Sequence, residues 1–240
     1  MANFKTRGIV IKRSNFGEAD RLVTIFTEKY GKIRAIGKGV RKPLSKLAGH
    51  LELFCLVDFL IAEGRNLDII TGAETEKCFF NLRNNFQPTK VAFYIAEVTE
   101  KMIGEEEPHP EVFKLLEETL ENLNCREADL MLPYFELNML SLLGYQPELA
   151  KCVLCGKKAT QEGNFFSFQE GGLACEKCQS HDVAISEKAI KLLRLMINHK
   201  LKLIEKVKID KNTASEVKKI ANDYLNYTHQ QEFKSRKFLR

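Results

Sequence analysis

Leu51-Glu-Leu-Phe-Cys-Leu-Val-Asp-Phe-Leu-Ile61 is the stretch on which the fold turns. Leu51, Leu53, Cys55, Val57, Phe59 and Ile61 recur at period two, placing six apolar side chains on one face of an extended segment. Four further runs rich in β-branched and aromatic residues accompany it, at 7–13, 21–27, 32–36 and 67–71. Turn signals separate the runs at Asn15-Phe16-Gly17, Tyr30-Gly31-Lys32, Gly37-Lys38-Gly39 and Glu63-Gly64. Five short strands in so small a unit predict a closed or nearly closed barrel. The OB-fold is the five-stranded barrel that commonly grips single strands.

From residue 74 onward the period becomes helical. Val91, Tyr94, Ile95, Val98 and Met102 follow Pro88 at i, i+3, i+4 spacing, and Pro suits a first helical turn. Pro108-His109-Pro110 breaks that helix, and Val112, Leu116, Leu120 and Leu123 stripe the next. A third helix is expected over about 126–143, with Pro133 as a kink point and Gly144 as its stop. Ile190, Leu193, Ile197, Leu201 and Ile204 line a fourth. Thr213-Ala-Ser-Glu216 reads as a capping box opening a fifth, whose buried face is Val217, Ile220, Ala221, Tyr224 and Leu225. These stripes read as core.

Between the helices, Cys152-Val-Leu-Cys155 is answered, after nineteen intervening residues, by Cys175-Glu-Lys-Cys178. Two such knuckles match a tetrathiolate zinc site, because each two-residue spacer lets a tight turn aim both sulfurs at one point. Residues 164–168 read as a strand and Glu170-Gly-Gly172 as a turn, giving a metal-held hairpin. A redox dithiol, a pair of disulfides and unremarkable cysteines are the competing readings, and the paired spacing favours zinc. Four thiolates leave no coordination position for an activated water, so the site is expected to be structural. His181 could replace a ligand, but beside four cysteines it reads as an exposed polar residue.

Composition is that of a soluble globular protein, 44% hydrophobic and 29% charged over 240 residues. No apolar run approaches a membrane span of roughly 18 residues, and residues 1–12 lack the apolar centre of a signal peptide. Cys55, Cys78 and Cys125 show no framework spacing, and an odd total of seven cysteines points to a reducing cytoplasm. The net charge of +5 is uneven. Residues 1–50 carry twelve Lys/Arg against Glu18, Asp20 and Glu28, a balance of +9, so the other 190 residues carry −4. That split suggests an N-terminal part that meets a polyanion.

The positive charge concentrates in Lys32-Ile-Arg34 and Gly37-Lys-Gly-Val-Arg41-Lys42-Pro-Leu-Ser-Lys46. The second of these reads as a mobile loop able to lay cations along a phosphate backbone. Phe16, Phe26 and Tyr30 could offer base-stacking surfaces if exposed, although each alone reads first as core.

A phosphate-binding P-loop is not present. Five residues rather than four separate Gly31 from Gly37, and Gly39 stands where a Ser/Thr is required. His181-Asp182 is an isolated pair, and Glu105-Glu-Glu107 reads as a solvated linker. The motifs of metalloproteases, α/β-hydrolases and dinucleotide enzymes do not occur either, so no active site assembles. The closing Phe233-Lys234-Ser-Arg236-Lys237-Phe238 reads equally as a solvated end or as a grip on acidic, aromatic-bearing peptides.

Several blocks together resemble the RecO family of bacterial recombination mediators. They are Gly17-Glu-Ala-Asp20, Phe26-Thr-Glu-Lys-Tyr-Gly31, Gly37-Lys-Gly-Val-Arg41-Lys42 and Ser45-Lys-Leu-Ala-Gly49. Leu143-Gly-Tyr-Gln-Pro147, the first cysteine knuckle and Phe233-Lys-Ser-Arg-Lys-Phe238 continue them in order across nearly the whole chain. The resemblance implies an α+β protein: an OB-fold over 1–78, then a helical domain over 79–240 with a zinc-ribbon-like insertion at 150–182. It implies a non-enzymatic protein of the cytoplasm and nucleoid that binds single- and double-stranded DNA and anneals complementary strands. Such a protein helps to load RecA at gaps, with RecR, RecF and the acidic tail of single-stranded-DNA-binding protein as partners. Carried over by position, the DNA contacts are Lys12, Arg13, Arg34, Lys38, Arg41, Lys42 and Lys46; Lys234, Arg236 and Lys237 of the closing basic segment are the expected partner contacts. The metal ligands are Cys152, Cys155, Cys175 and Cys178, with one structural zinc per chain. The residues read by themselves also admit a zinc-containing RNA-binding accessory factor of transcription or translation.

Overall fold

In the computed structural model, which describes residues 3–79, 86–123, 128–197, 208–230 and 232–239, Cys55, Val57, Phe59 and Ile61 all enter one apolar core. They lie on β4 (Cys55–Ala62). The expected strand over 51–61 is shorter at its start. Phe54 sits at φ 61°, a left-handed turn that breaks the extended run, while Leu51 still reaches the core from the preceding loop. Alternation reported which side chains are buried, not where the strand begins.

Around β4 run β1 (Asn3–Phe16), β2 (Asp20–Thr27), β3 (Gly31–Gly37) and β5 (Asp68–Cys78). They close a barrel in the order β1-β2-β3-β5-β4, an OB-fold arrangement. All neighbours are antiparallel except β3 and β5, which meet in parallel at Ala35–Asp68 and Ile36–Ile69. Strand β5 runs past residue 74, where a helical period was expected. Exposed Glu74, Glu76 and Lys77 gave it a polar composition, yet its backbone pairs with β4 as far as Cys55–Cys78. Those two cysteines, without framework spacing in the sequence, are joined by a disulfide.

Because β5 pairs only with the far end of β3, the near end is an open edge. Glu105 bridges to Lys32 there, and Glu106 N donates to Lys32 O at 3.0 Å. The segment expected to be a solvated linker therefore lies along the barrel. Gly31 permits this: its φ is 68°, and a Cβ would collide with the Glu107 backbone.

Two compact units emerge from the contacts: Met1–Cys125 with Phe233–Arg240, and Arg126–Glu232. In the first, α1 (Phe86–Met102) buries Val91, Tyr94, Ile95 and Val98. Helix α2 (Pro110–Asn122) starts on Pro110 and buries Val112, Leu116 and Leu120. A 3₁₀ turn, Lys234–Leu239, completes the unit.

In the second, α3 (Ala128–Leu142) keeps Pro133 inside it and is followed by Gly144 at φ 89°. A small sheet of β6 (Asn164–Ser167), β7 (Gly172–Cys175) and β8 (Val183–Ala184) has the order β7-β6-β8. Helices α4 (Glu187–Ile197) and α5 (Lys211–His229) pack with α3, and Asn138 Nδ2 donates to Met196 O at 2.7 Å.

The expected capping box is not used. Asp210 is the N-cap, its Oδ1 accepting from Thr213 N at 2.9 Å, while Glu216 accepts from Ser186 N. An aspartate three residues before Thr213 outcompetes the hydroxyl and starts α5 earlier. Cys125, Arg126, Leu201 and Ile204 lie outside the described residues.

Candidate nucleic-acid interface and metal centre

The β3–β4 loop is built of successive turns. Val40 and Leu51 plug it into the barrel core. Gly39 N donates to Asp20 Oδ1 at 2.7 Å, and Arg41 N donates to Ala19 O at 2.9 Å. Arg41 Nη1 also reaches Glu18 O at 3.0 Å, so this side chain clamps the β1–β2 turn. On this tethered frame Lys38, Lys42 and Lys46 are exposed, and none of them forms an ion pair among the described residues. Leu44 at the loop tip is 95% exposed.

The other expected contacts have partners. Lys12 Nζ lies 2.6 Å from Glu100 Oε1, Arg13 pairs with Glu52, and Arg34 Nη2 lies 2.7 Å from Glu105 Oε1. The structure thus brings Lys38, Arg41, Lys42 and Lys46 together on one loop and sets Lys12, Arg13 and Arg34 among carboxylates. Lys32, from the same basic run, is buried. Its Nζ donates to Glu100 O at 2.5 Å and Ile103 O at 2.8 Å, holding the C-terminal end of α1. Burial pushes its pKa below the usual lysine range, against the attraction of Glu105 and Glu100. Of the aromatics, Phe26 is core against Phe113, whereas Phe16 and Tyr30 are exposed, Tyr30 against Phe4 with ring centroids 4.6 Å apart.

The C-terminal cations sit on α1. Lys234 N and Ser235 N donate to the Glu97 carboxylate at 2.9 and 2.7 Å. Arg236 Nη1 donates to Tyr94 OH at 3.1 Å, and buried Phe233 packs edge-on against Tyr94. Glu97 loses solvent, which raises its pKa, but the hydrogen bonds from Ser235, Lys101 and Lys234 outweigh burial and bring it down to about 2. The segment is thus fastened to α1 through Phe233 and the Glu97 carboxylate, while Lys234, Lys237 and Phe238 stay exposed.

In the second unit, β6 and β7 pair from Asn164–Cys175 to Ser167–Gly172, and Val153 N donates to Leu173 O at 2.8 Å, which sets the first knuckle against the strand that leads into the second. Gly156, at φ 73°, turns the chain out of the first. The four Sγ atoms lie within 4.8 Å of one another, and Cys155 and Cys175 are 3.7 Å apart. A tetrahedron with Zn–S bonds of about 2.3 Å has edges of about 3.8 Å. Burial raises the Cys152 thiol, yet backbone N–H groups of Cys155, Cys175 and Leu154 bring it down to about 6. Cys178, hydrogen-bonded to Cys175 and Cys155, is pushed up to about 12. Four sulfurs this close cannot all ionise unaided, and a divalent cation at their centre removes that conflict. The donor set fits a metal ion, and His181 stands outside it.

Comparison with known proteins places the chain. Residues 1–79 match the model for the N-terminal part of recombination protein O, and residues 83–237 match that for its C-terminal part. The chain belongs to the RecO family. DNA repair protein RecO of Dehalococcoides mccartyi (strain ATCC BAA-2266) is 38% identical over 218 residues, covering 90% of this chain and 86% of that protein. The Roseiflexus protein of the same name is 37% identical over 240 residues, covering 98% and 84%. That of Desulforamulus reducens is 28% identical over 242 residues, covering 100% and 94%. Among the described residues no helix of this RecO-family chain is long and apolar enough to cross a membrane.

Sequence reasoning passed over the residues that fasten α1 and α2 to the barrel and the C-terminal turn to α1. Arg7 pairs with both Glu76 and Glu117, each at 2.7 Å, over the Phe113 ring. Lys32 and Glu97 act on α1 as described above. Spaced dozens of residues from their partners, they left no local signal.

Proposed function

We propose that this RecO-family chain is a DNA repair and recombination mediator that binds single- and double-stranded DNA and anneals complementary strands without covalent chemistry. The observation that supports this reading is the tethered loop presenting exposed Lys38, Lys42 and Lys46 without carboxylate partners among the described residues. A fixed row of uncompensated cations lowers the repulsion between two phosphate backbones, so that bases can meet. Arg41 shapes the loop while its remaining donors face a strand, and Lys12, Arg13 and Arg34 contribute weakly, because phosphate must first displace their carboxylates. Surface pairs such as Arg34–Glu105 cost about 0–1 kcal/mol to exchange. Phe16, next to the β1–β2 turn that Arg41 clamps, offers an exposed ring face near the loop, and Tyr30 offers another at the opposite end of β3.

Residues 1–78 form the DNA-binding module in this reading, and 79–240 the helical module with its zinc insertion at 150–182. Cys152, Cys155, Cys175 and Cys178 hold one structural zinc, which stabilises the fold and takes no part in a reaction. Lys234, Arg236 and Lys237, with exposed Phe238, face partners of the mediator: RecR, RecF or the acidic tail of single-stranded-DNA-binding protein. The site of action is the cytoplasm, and the outcome is RecA loading at gaps.

Reversal of Lys38, Lys42 and Lys46 together to Glu tests the reading. Annealing of complementary oligonucleotides should fall at least about tenfold at low salt, with far-UV dichroism unchanged. Annealing at the parent rate removes the assignment. A strong preference for RNA over DNA of equal length would move the function to an RNA-binding accessory factor.

A further inference from the structure

Four of the seven cysteines belong to the metal cluster, and two of the others face each other on neighbouring strands of the barrel. Cys55 opens β4 and Cys78 closes β5, in register, with Cα atoms 4.0 Å apart. Strand pairing holds them there on both sides. Lys77 pairs with Leu56 within the ladder, and Phe79 N donates to Phe54 O at 3.1 Å just beyond it. The two sulfurs are therefore neighbours by virtue of the barrel itself. Their access to solvent differs: Cys55 is fully buried in the core, whereas Cys78 is half-buried at its edge.

We propose that Cys55 and Cys78 form a reversible thiol-oxidation site. Cys78 meets a small-molecule disulfide of the glutathione class, and Cys55 is the resolving thiol. The Cys78 thiolate attacks one sulfur of the oxidant, whose S–S bond breaks. One small thiolate leaves, and a mixed disulfide stays on Cys78. Deprotonated Cys55 then attacks the Cys78 sulfur, forms the cross-strand bond and releases the second small thiol. Two protein thiols lose two protons and two electrons, and the oxidant departs as two thiols. Oxidation ties the end of β5 to the start of β4, at the point where the chain leaves the barrel. This site is independent of the nucleic-acid reading and stands or falls without it.

The test uses the full chain, equilibrated at a series of reduced-to-oxidised glutathione ratios, quenched with N-ethylmaleimide, digested and mapped by mass. The parent should give a cross-linked peptide pair containing Cys55 and Cys78, two hydrogens lighter, rising with oxidised glutathione and reversed by dithiothreitol. Cys55→Ala should trap glutathione on Cys78, while Cys78→Ser should leave Cys55 unglutathionylated. Oxidised parent should melt several degrees above reduced parent, and that shift should vanish in Cys78→Ser. Cys78→Ser, at the half-buried position, keeps the test readable if Cys55→Ala fails to fold. Separate alkylation of both cysteines at every ratio overturns the proposal, as does glutathione on Cys55 of Cys78→Ser.

Discussion

On the rim formed by β1, β3 and the end of α1, Lys12, Lys32 and Arg34 each face a carboxylate or a carbonyl, whereas Lys38, Lys42 and Lys46 on the loop after β3 face water. The two groups fall within the same basic first 50 residues and are equal in formal charge, yet their chemistry differs. Rim cations are part of the fold: they hold α1 and the 105–107 segment against an open strand edge. Loop cations have no such duty, so their charge is available to a ligand. A balance of +9 over the first 50 residues therefore overstates what a polyanion meets.

The largest expected effect comes from the second unit and acts as a control on both groups. Stripping the metal from the cysteine cluster, or Cys155→Ser, should destabilise that unit by roughly 3 kcal/mol or more, seen by thermal unfolding. Affinity for single-stranded DNA should stay within about twofold if loop cations suffice. Metal analysis should return one zinc per chain, and its absence from protein purified without chelator would refute the cluster.

Next in size is Lys32→Met. Two carbonyls at the end of α1 lose their donor, which should cost about 1–3 kcal/mol in denaturant unfolding. DNA affinity measured where the variant is folded should hardly change, and a large loss of binding would erase the distinction between rim and loop.

The smallest effect concerns the C-terminal cations, which are committed through their backbone. Glu97 titrates at about 2 in the fold against an ordinary 4.5. Its contribution is thus complete above about pH 4.5 and is lost as pH falls toward 2. Hydrogen exchange at Lys234 and Ser235 should show protection that persists at pH 5 and fades through that window. In Glu97→Gln the protection should be weaker and its pH dependence absent.

Legibility in the sequence followed the range of the interactions. Cys55, Val57, Phe59 and Ile61 revealed the barrel because period two is a local signal, and the α1, α2 and α5 stripes revealed helices for the same reason. The cysteine knuckles were legible because spacing is geometry. Lys32 was not, since a lysine in a basic run looks solvated until α1 supplies carbonyls from 68 and 71 residues away. The Cys55–Cys78 pair was hidden likewise, as 23 residues of separation carry no meaning until β4 and β5 are in register. At Asp210 two capping signals competed, and only the hydrogen bond to Thr213 decides between them.

The division of the cations is tested most directly by the salt dependence of single-stranded DNA binding by three full-length chains: the parent, Lys38/Lys42/Lys46→Gln and Lys12/Arg34→Gln. Each phosphate neutralised contributes about −0.7 to the log–log slope. The loop variant should lose about 2 units of slope, and the rim variant well under 1. Equal slopes for the parent and the loop variant, or a larger loss in the rim variant, would contradict the account.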